Sequence, residues 1–302
     1  MLNFLKKPYV FFAVVVFTLF LNPVWALLIG IALGMYKMLY NPPKLSTYRK
    51  YTLEAAVVLL GFGLSFQQVI SVGSKGIYQT AAGIIILLII GTALGYVFKL
   101  NKKLSVLINV GTCICGGSAI AAVSGAIDAK DDDIAISTGV VFLLNAAALF
   151  IFPVLFINFQ IPSEIYGVWC ALSIHDTSSV VGAASVNETS LAIATILKLT
   201  RTLWIIPLTI FYKILYKSNG SSKFPYFIAL FVLATLITTF LPLDIYKHLA
   251  SYGKMLMSPA LFMVGYAINL DTIKSAGKAS IFYGVLLWGV SIILGYLIAV
   301  SV

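Results

Sequence analysis

Runs of about 20 apolar residues recur along this chain, and that is the length an α-helix needs to cross a hydrocarbon core. They fall at approximately 8–21, 23–40, 47–66, 76–98, 104–127, 133–158, 163–185, 190–214, 225–241, 246–269 and 277–301. Short polar or basic segments separate them. A chain built this way has little choice of fold, because hydrocarbon offers no partner for a free N–H or C=O and helices satisfy both internally. Composition agrees. Hydrophobic residues make up 61% and charged residues 10% of the 302, against about 45–50% and about 25% in a soluble domain. The expectation is an all-α polytopic membrane protein of about eleven transmembrane helices, a single transmembrane domain over 1–302.

The first two runs are the weakest. Asn22-Pro23 either joins two helices or breaks one long helix, which would leave ten spans. Lys6-Lys7, the run Tyr9–Phe20 and Val24-Trp25-Ala26 imitate a signal peptide with its cleavage site. A second apolar run follows at once, so we read a retained first helix.

The basic residues set an orientation. With the N-terminus inside, fourteen lysines and arginines lie in inside segments and four (Lys75, Lys130, Lys247, Lys254) outside, while Lys198 and Arg201 lie within a span. That bias places the N-terminus in the cytoplasm and the C-terminus outside. The net charge of +10 is spread between spans rather than gathered into a strip with stacking aromatics, so nucleic acid is not the partner. The bilayer is.

Two internal echoes appear. Gly63-Leu64-Ser65-Phe66 through Gly73 and then Gly95-Tyr96 matches Ala267-Ile268-Asn269-Leu270 through Gly277 and then Gly295-Tyr296. Seven spans separate the copies, so they run oppositely, as inverted repeats of secondary transporters do. The second echo pairs Cys115–Ala122 with His175–Gly182. The span count gives these copies the same direction, so either one segment is re-entrant or the echo is chance.

Three constellations carry chemistry. Gly111-Thr112-Cys113-Ile114-Cys115-Gly116-Gly117-Ser118 sits in the middle of the fifth span. Adjacent glycines destabilise a helix there. The resulting half-helix would offer free N–H groups and a positive dipole end to an anion, drawing on Thr112, Cys113, Cys115, Gly116, Gly117 and Ser118. The competing reading is close helix packing through small residues.

Ser173-Ile174-His175-Asp176-Thr177-Ser178-Ser179 lies mid-way along the seventh span. Asp176 is the only carboxylate placed deep in a span, and His175 the only histidine. They are the candidates for coupling to protons, with Ser178 and Ser179 as substrate contacts; equally, Asp176 neutralises a nearby cation.

Lys198 and Arg201 share a face of the eighth span, and Arg201 lies about 20 Å from its outer end at about 1.5 Å per residue. Their partner is an anionic substrate such as an oxyanion, or Asp176 in an ion pair. Asn145, in the middle of the sixth span, reads as a bridge between helices. Glu54 reads as interfacial and His248 as solvated.

Cys113, Cys115 and Cys170 all lie in apolar segments, so neither a disulfide framework nor a metal site is expected. Nucleotide loops, metalloprotease helices and nucleophile elbows are missing, and no segment between spans is long enough to power an ATP-driven pump. The expectation is a transporter without cofactor, not an enzyme.

Gly-Thr-Cys-Ile-Cys-Gly-Gly-Ser-Ala-Ile-Ala-Ala at 111–122, Ser-Ile-His-Asp at 173–176 and Lys-Leu-Thr-Arg at 198–201 resemble the sulfate exporter family of YeiH-like bacterial inner-membrane proteins. The resemblance runs over most of the chain. The family usually carries a glutamate after the histidine and Ala-Gln next, where Asp176, Thr177 and Ser178 stand here. The segment Cys115–Ser118 is also similar to the crossover helix of bile-acid/sodium symporters and cation/proton antiporters. That likeness implies inverted repeats with two discontinuous helices crossing near the midplane. The resulting expectation is secondary transport of a small anion (sulfate, sulfite or an organosulfonate), coupled to protons or sodium. A sodium/proton antiporter, or a membrane sensor or enzyme, is the alternative. Many proteins of this architecture are homodimers; no dimer face is legible in the sequence.

Overall fold

The computed structural model describes residues 6–21, 23–36, 38–217, 226–267 and 277–301. Within them every regular element is a helix. Asn22, three of the inside basic residues (Lys37, Lys223, Lys274) and residues 268–276 of the first echo lie outside the described residues. Four helices are long and apolar enough to cross a membrane: Phe66–Val97, Asp132–Phe159, Glu188–Tyr216 and Lys278–Val300. Shorter apolar helices accompany them.

The chain divides into two compact units. The first comprises Met1–Ser71 and Pro225–Leu270. It contains α1 (Pro8–Phe17) with a 3-10 turn to Phe20, α2 (Pro23–Met35), α3 (Leu45–Gly61), α12 (Tyr226–Phe240) and α13 (Ile245–Tyr266). The turn that ends at Phe20 and the fresh helix at Pro23 interrupt the first apolar stretch. α13 packs on α2 and α3. Gly30 and Gly34 bring α2 directly against the backbone at Phe262 and Tyr266, where a Cβ would collide with carbonyls. Phe11, Phe262 and Tyr266 then fill the space beside them, and the Tyr266 hydroxyl donates to the Leu39 carbonyl at 2.7 Å.

The second unit comprises Val72–Phe224 and Asp271–Val302. It contains most of α4 (Phe66–Val97), then α5 (Lys102–Cys113), α6 (Gly117–Ala126), α7 (Asp131–Phe159), α8 (Ser163–Ser173), α9 (Thr177–Ala184), α10 (Glu188–Leu203), α11 (Ile205–Tyr216) and α14 (Lys278–Val300). The expected fifth and seventh spans are each two helices, α5–α6 and α8–α9, of 12, 10, 11 and 8 residues. None of the four could cross a core about 30 Å thick, at about 1.5 Å per residue.

Neither pair continues straight on. Lys103, in the first turn of α5, donates through Nζ to the carbonyl of Asp128, just past α6, at 2.6 Å. Tyr166, in the first turn of α8, donates through Oη to the carbonyl of Ala183, near the end of α9, at 3.0 Å. Each pair is therefore a hairpin that enters, turns and returns to its own end. This corrects the reading of 104–127 and 163–185 as spanning helices.

The hairpins enter from opposite ends of α14. Near the start of α14, Tyr283 accepts a hydrogen bond from Ser105, in the first turn of α5, at 3.3 Å. In the middle, Trp288 donates to the Ser173 carbonyl at the tip of hairpin α8–α9, at 3.1 Å. Further along, the Ile292 carbonyl accepts from Trp169 of α8 at 2.9 Å. α5 thus runs parallel to α14 and α8 antiparallel to it, and the two tips meet beside its middle.

α7 makes the link. It passes Gly284 at Val140, reaches the second tip at Asn145, and stacks Phe156 on Tyr166 at the base of the second hairpin with ring centroids 4.5 Å apart. The same-direction assignment of the second echo is corrected accordingly: its two copies are inverted because both segments fold back. α4 is antiparallel to α14, since Gly91 lies at Tyr283 and Gly83 near Ile298.

Candidate functional site

A helix that stops inside a protein leaves its last carbonyls without partners. Here two helices, α5 and α8, stop within reach of one another, and α10 supplies the donors for both. Arg201 donates from Nε to the Cys113 carbonyl at 2.6 Å and from Nη2 to Thr112 at 3.0 Å. From Nη1 it reaches Ala171 at 2.9 Å and Leu172 at 2.6 Å. Lys198, one helical turn earlier, donates to Ile114 and to Ile174, both at 2.8 Å. The remaining groups are met locally. Gly116 N–H turns back to Gly111, Trp288 takes Ser173, and Ser291 adds a bond to Leu172 at 3.3 Å.

The two cations are fully buried. Both negative helix ends point at them, and charge-assisted hydrogen bonds are the strong kind. The sequence reading offered them an anionic substrate or Asp176; their hydrogen-bond partners are backbone carbonyls of the two tips. No salt bridge joins either to Asp176 among the described residues; Lys50–Glu54 and Lys247–Asp244 are ion pairs elsewhere.

The opposite ends, the helix N-termini, are treated differently. Asp176 is the N-cap of α9: Oδ1 accepts from Ser179 N–H at 2.6 Å and from the Ser178 hydroxyl at 2.8 Å. Asn145 clamps it from α7. Its Nδ2 donates to Asp176 Oδ2 at 3.1 Å, and its Oδ1 accepts from the N–H groups of His175 and Asp176 at 3.2 and 3.4 Å. The bridging role read for Asn145 is thus seen directly, with the second tip as its target.

α6 begins at Gly117 with no cap from the side of Gly116, which has none to give. Gly116 adopts φ +58°, and a Cβ there would lie 3.1 Å from the Cβ of Asp176. Only glycine permits both the conformation and the approach. The two tips therefore touch at Gly116 and Asp176.

Exposure separates the expected residues into two sets. Thr112, Cys113, Cys115, Gly116, His175, Ser178, Ser179, Lys198 and Arg201 are buried. Thr112 bonds its own helix at Ile108, Cys113 donates to Asn109 at 3.1 Å, and Cys115 lies beside Lys198 and Thr202. His175 makes no side-chain hydrogen bond and leans toward Trp288, with ring centroids 6.2 Å apart. Gly117, Asp176 and Thr177 are half-buried and Ser118 is exposed. The reachable part of the site is thus the pair of helix N-termini, with the cations behind it. Thr177, Trp288 and Ser291 were not singled out as contacts from sequence. Trp288 is distinguished by its bond to a tip carbonyl. Among the described residues no cluster of histidine, cysteine or carboxylate side chains could hold a metal ion.

Residues 11–299 match the family described as Conserved hypothetical protein 698. UPF0324 membrane proteins of two bacteria align along almost the whole chain. That of Vibrio parahaemolyticus is 40% identical over 280 residues, covering 90% of each chain. That of Geobacter sulfurreducens is 41% identical over 268 residues, covering 87% of this chain and 86% of the relative. The chain belongs to this family. A UPF0324 membrane protein from Streptococcus agalactiae is 38% identical over 287 residues, covering 88% of this chain and 85% of the relative. The family's names carry no substrate, so the sulfate label implied by resemblance gains no support from them. No solved structure matches.

Proposed function

We propose that this UPF0324 protein is a secondary transporter of a small anion in the bacterial inner membrane. The observation that carries the reading is the meeting of two opposed hairpins at Gly116 and Asp176, backed by two buried cations. Broken backbone at such depth is tolerated where protein buries it or solvent reaches it, and in transporters it marks the substrate site. The site carries two formal positive charges, on Lys198 and Arg201, against one carboxylate, and α6 adds the positive end of its dipole. That excess suits a small anion better than a cation and argues against the sodium/proton antiporter.

Substrate contacts in this reading are Gly117, Ser118 and Thr177, while Ser178 is buried and its hydroxyl is held by Asp176. Lys198 and Arg201 act through their field and by fixing the tips. Asp176 and His175 remain the coupling candidates, with a proton or sodium as the coupled ion. Substrate moves without bond-making chemistry, so the protein is not an enzyme.

With both hairpins folding back, nine spans remain and the termini keep their expected sides, N-terminus cytoplasmic and C-terminus outside. Lys130 then joins the inside residues, leaving Lys75, Lys247 and Lys254 outside. The charge bias strengthens, as a correct topology should make it.

The test is uptake of labelled sulfate, sulfite and small sulfonates into sealed proteoliposomes, with and without a pH gradient. Saturable uptake that falls in a folded Ser118→Ala or Thr177→Ala variant supports the reading. A folded protein that moves no anion but dissipates a pH gradient when sodium is added overturns it in favour of the antiporter.

A further inference from the structure

Beside Arg201 lies a cavity of about 10 Å³. Arg201 and Leu172 form part of its wall, Thr80 and Gly83 of α4 another, and Ser291 and Gly295 of α14 a third. Arg201 has five N–H bonds, of which four are accounted for by carbonyls of the tips. Thr80 and Ser291 are both buried, and each donates its hydroxyl proton to a carbonyl, Gly76 and Leu172 respectively. Each oxygen keeps a lone pair, although Thr80 already accepts from Trp204 at 3.1 Å.

We infer that this cavity is a water-binding site. A single water accepts the fifth N–H of Arg201 and donates to the hydroxyls of Thr80 and Ser291. The volume is that of one water, for which roughly 10–15 Å³ by this measure suffices, and three polar partners fall within the two to four a buried water requires. A buried guanidinium hydrogen without an acceptor is costly, which favours a wet cavity over a dry one. The apolar remainder of the wall, at Leu87, Leu294 and Ile298, confines the water to that spot. The inference concerns the support of the tips and does not depend on which solute the protein moves.

Gly83 gives a test of sign. A Cβ at this position would meet nothing closer than Ile298 Cδ1 at 3.6 Å, ordinary contact, and it would enter the cavity. If the cavity is dry, Gly83→Ala fills a void and replaces a mid-helix glycine, and both effects raise Tm. If a water is held there, the methyl displaces it and leaves Arg201 short of a partner. The expected result is a Tm about 2 °C or more below that of the wild type in detergent. Gly83→Ser, whose hydroxyl can stand in for the water, should recover most of the loss. A raised or unchanged Tm in Gly83→Ala overturns the inference, and so does an equal fall in both variants, which would indicate crowding.

Discussion

Lys103 and Asp128 stand at opposite ends of a segment of ordinary spanning length, yet the Lys103 ammonium donates to the Asp128 carbonyl at 2.6 Å. A chain that crossed the membrane between them could not make that bond. The contact converts an apparent span into a hairpin and fixes the sidedness of everything after it.

The first prediction concerns that sidedness. Lys102→Cys, Lys130→Cys and Glu164→Cys each place a thiol at an exposed position, and the native cysteines are buried. In intact cells a membrane-impermeant maleimide should label Glu164→Cys alone. The other two should react only after the membrane is opened. Labelling of Lys130→Cys in intact cells would return the fifth segment to a full crossing.

Arg201 should not tolerate lysine. An ammonium has three donors and no planar fork, so it cannot hold Thr112, Cys113, Ala171 and Leu172 together. Arg201→Lys should lower Tm sharply while leaving a folded fraction. Arg201→Ala, which strands those carbonyls beside a second buried cation, should cost about 3–5 kcal/mol by the measure of broken buried charge networks. Thermal unfolding in detergent reads both; a Tm near wild type in either would mean that the carbonyls find other donors.

Asp176 serves as a cap and carries a charge, and two substitutions separate these roles. Asn keeps an oxygen for Ser179 N–H and loses the charge; Ala loses both. Cap removal costs about 0.5–2 kcal/mol. Asp176→Asn keeps the cap but sets an amide against Asn145 Nδ2, so it should lower Tm less than Asp176→Ala, which loses both contacts. If Asp176 couples transport to protons, the Asn variant should also lose the dependence of uptake on a pH gradient. Retention of that dependence would move the coupling role elsewhere.

Gly116 and Gly277 both have positive φ, +58° and +72°, but only Gly116 has a neighbour in the way. Alanine at Gly277 should cost the strain of its backbone alone, about 1–3 kcal/mol. Alanine at Gly116 should cost more, because it also pushes Asp176 away, and it should abolish uptake. Equal loss of Tm in the two variants would remove the contact between tips from the account.

Local chemistry was legible in the sequence, and direction was not. The glycine pair at Gly116-Gly117 and the polar run Ser173–Ser179 announced broken helices because their propensities forbid an uninterrupted one. The depth of Lys198 and Arg201 followed from counting residues along a helix. Hydropathy, however, is the same for a hairpin of two short helices as for one spanning helix of equal length. The residual trace was the conflict of direction between Cys115–Ala122 and His175–Gly182, together with Lys130 on the wrong side. The partners of the two cations were hidden for another reason. Sequence displays side chains, whereas the groups that Arg201 and Lys198 hold are carbonyls freed only once the helices break.

One guanidinium holds Thr112 and Cys113 of one hairpin together with Ala171 and Leu172 of the other, so the hairpins are mechanically a single part. Neither tip can lift from the junction by itself without tearing several charge-assisted bonds at once. If the protein transports as proposed, both tips and α10 move together as a rigid block. The seam at Gly116 and Asp176 then stays shut while the block moves.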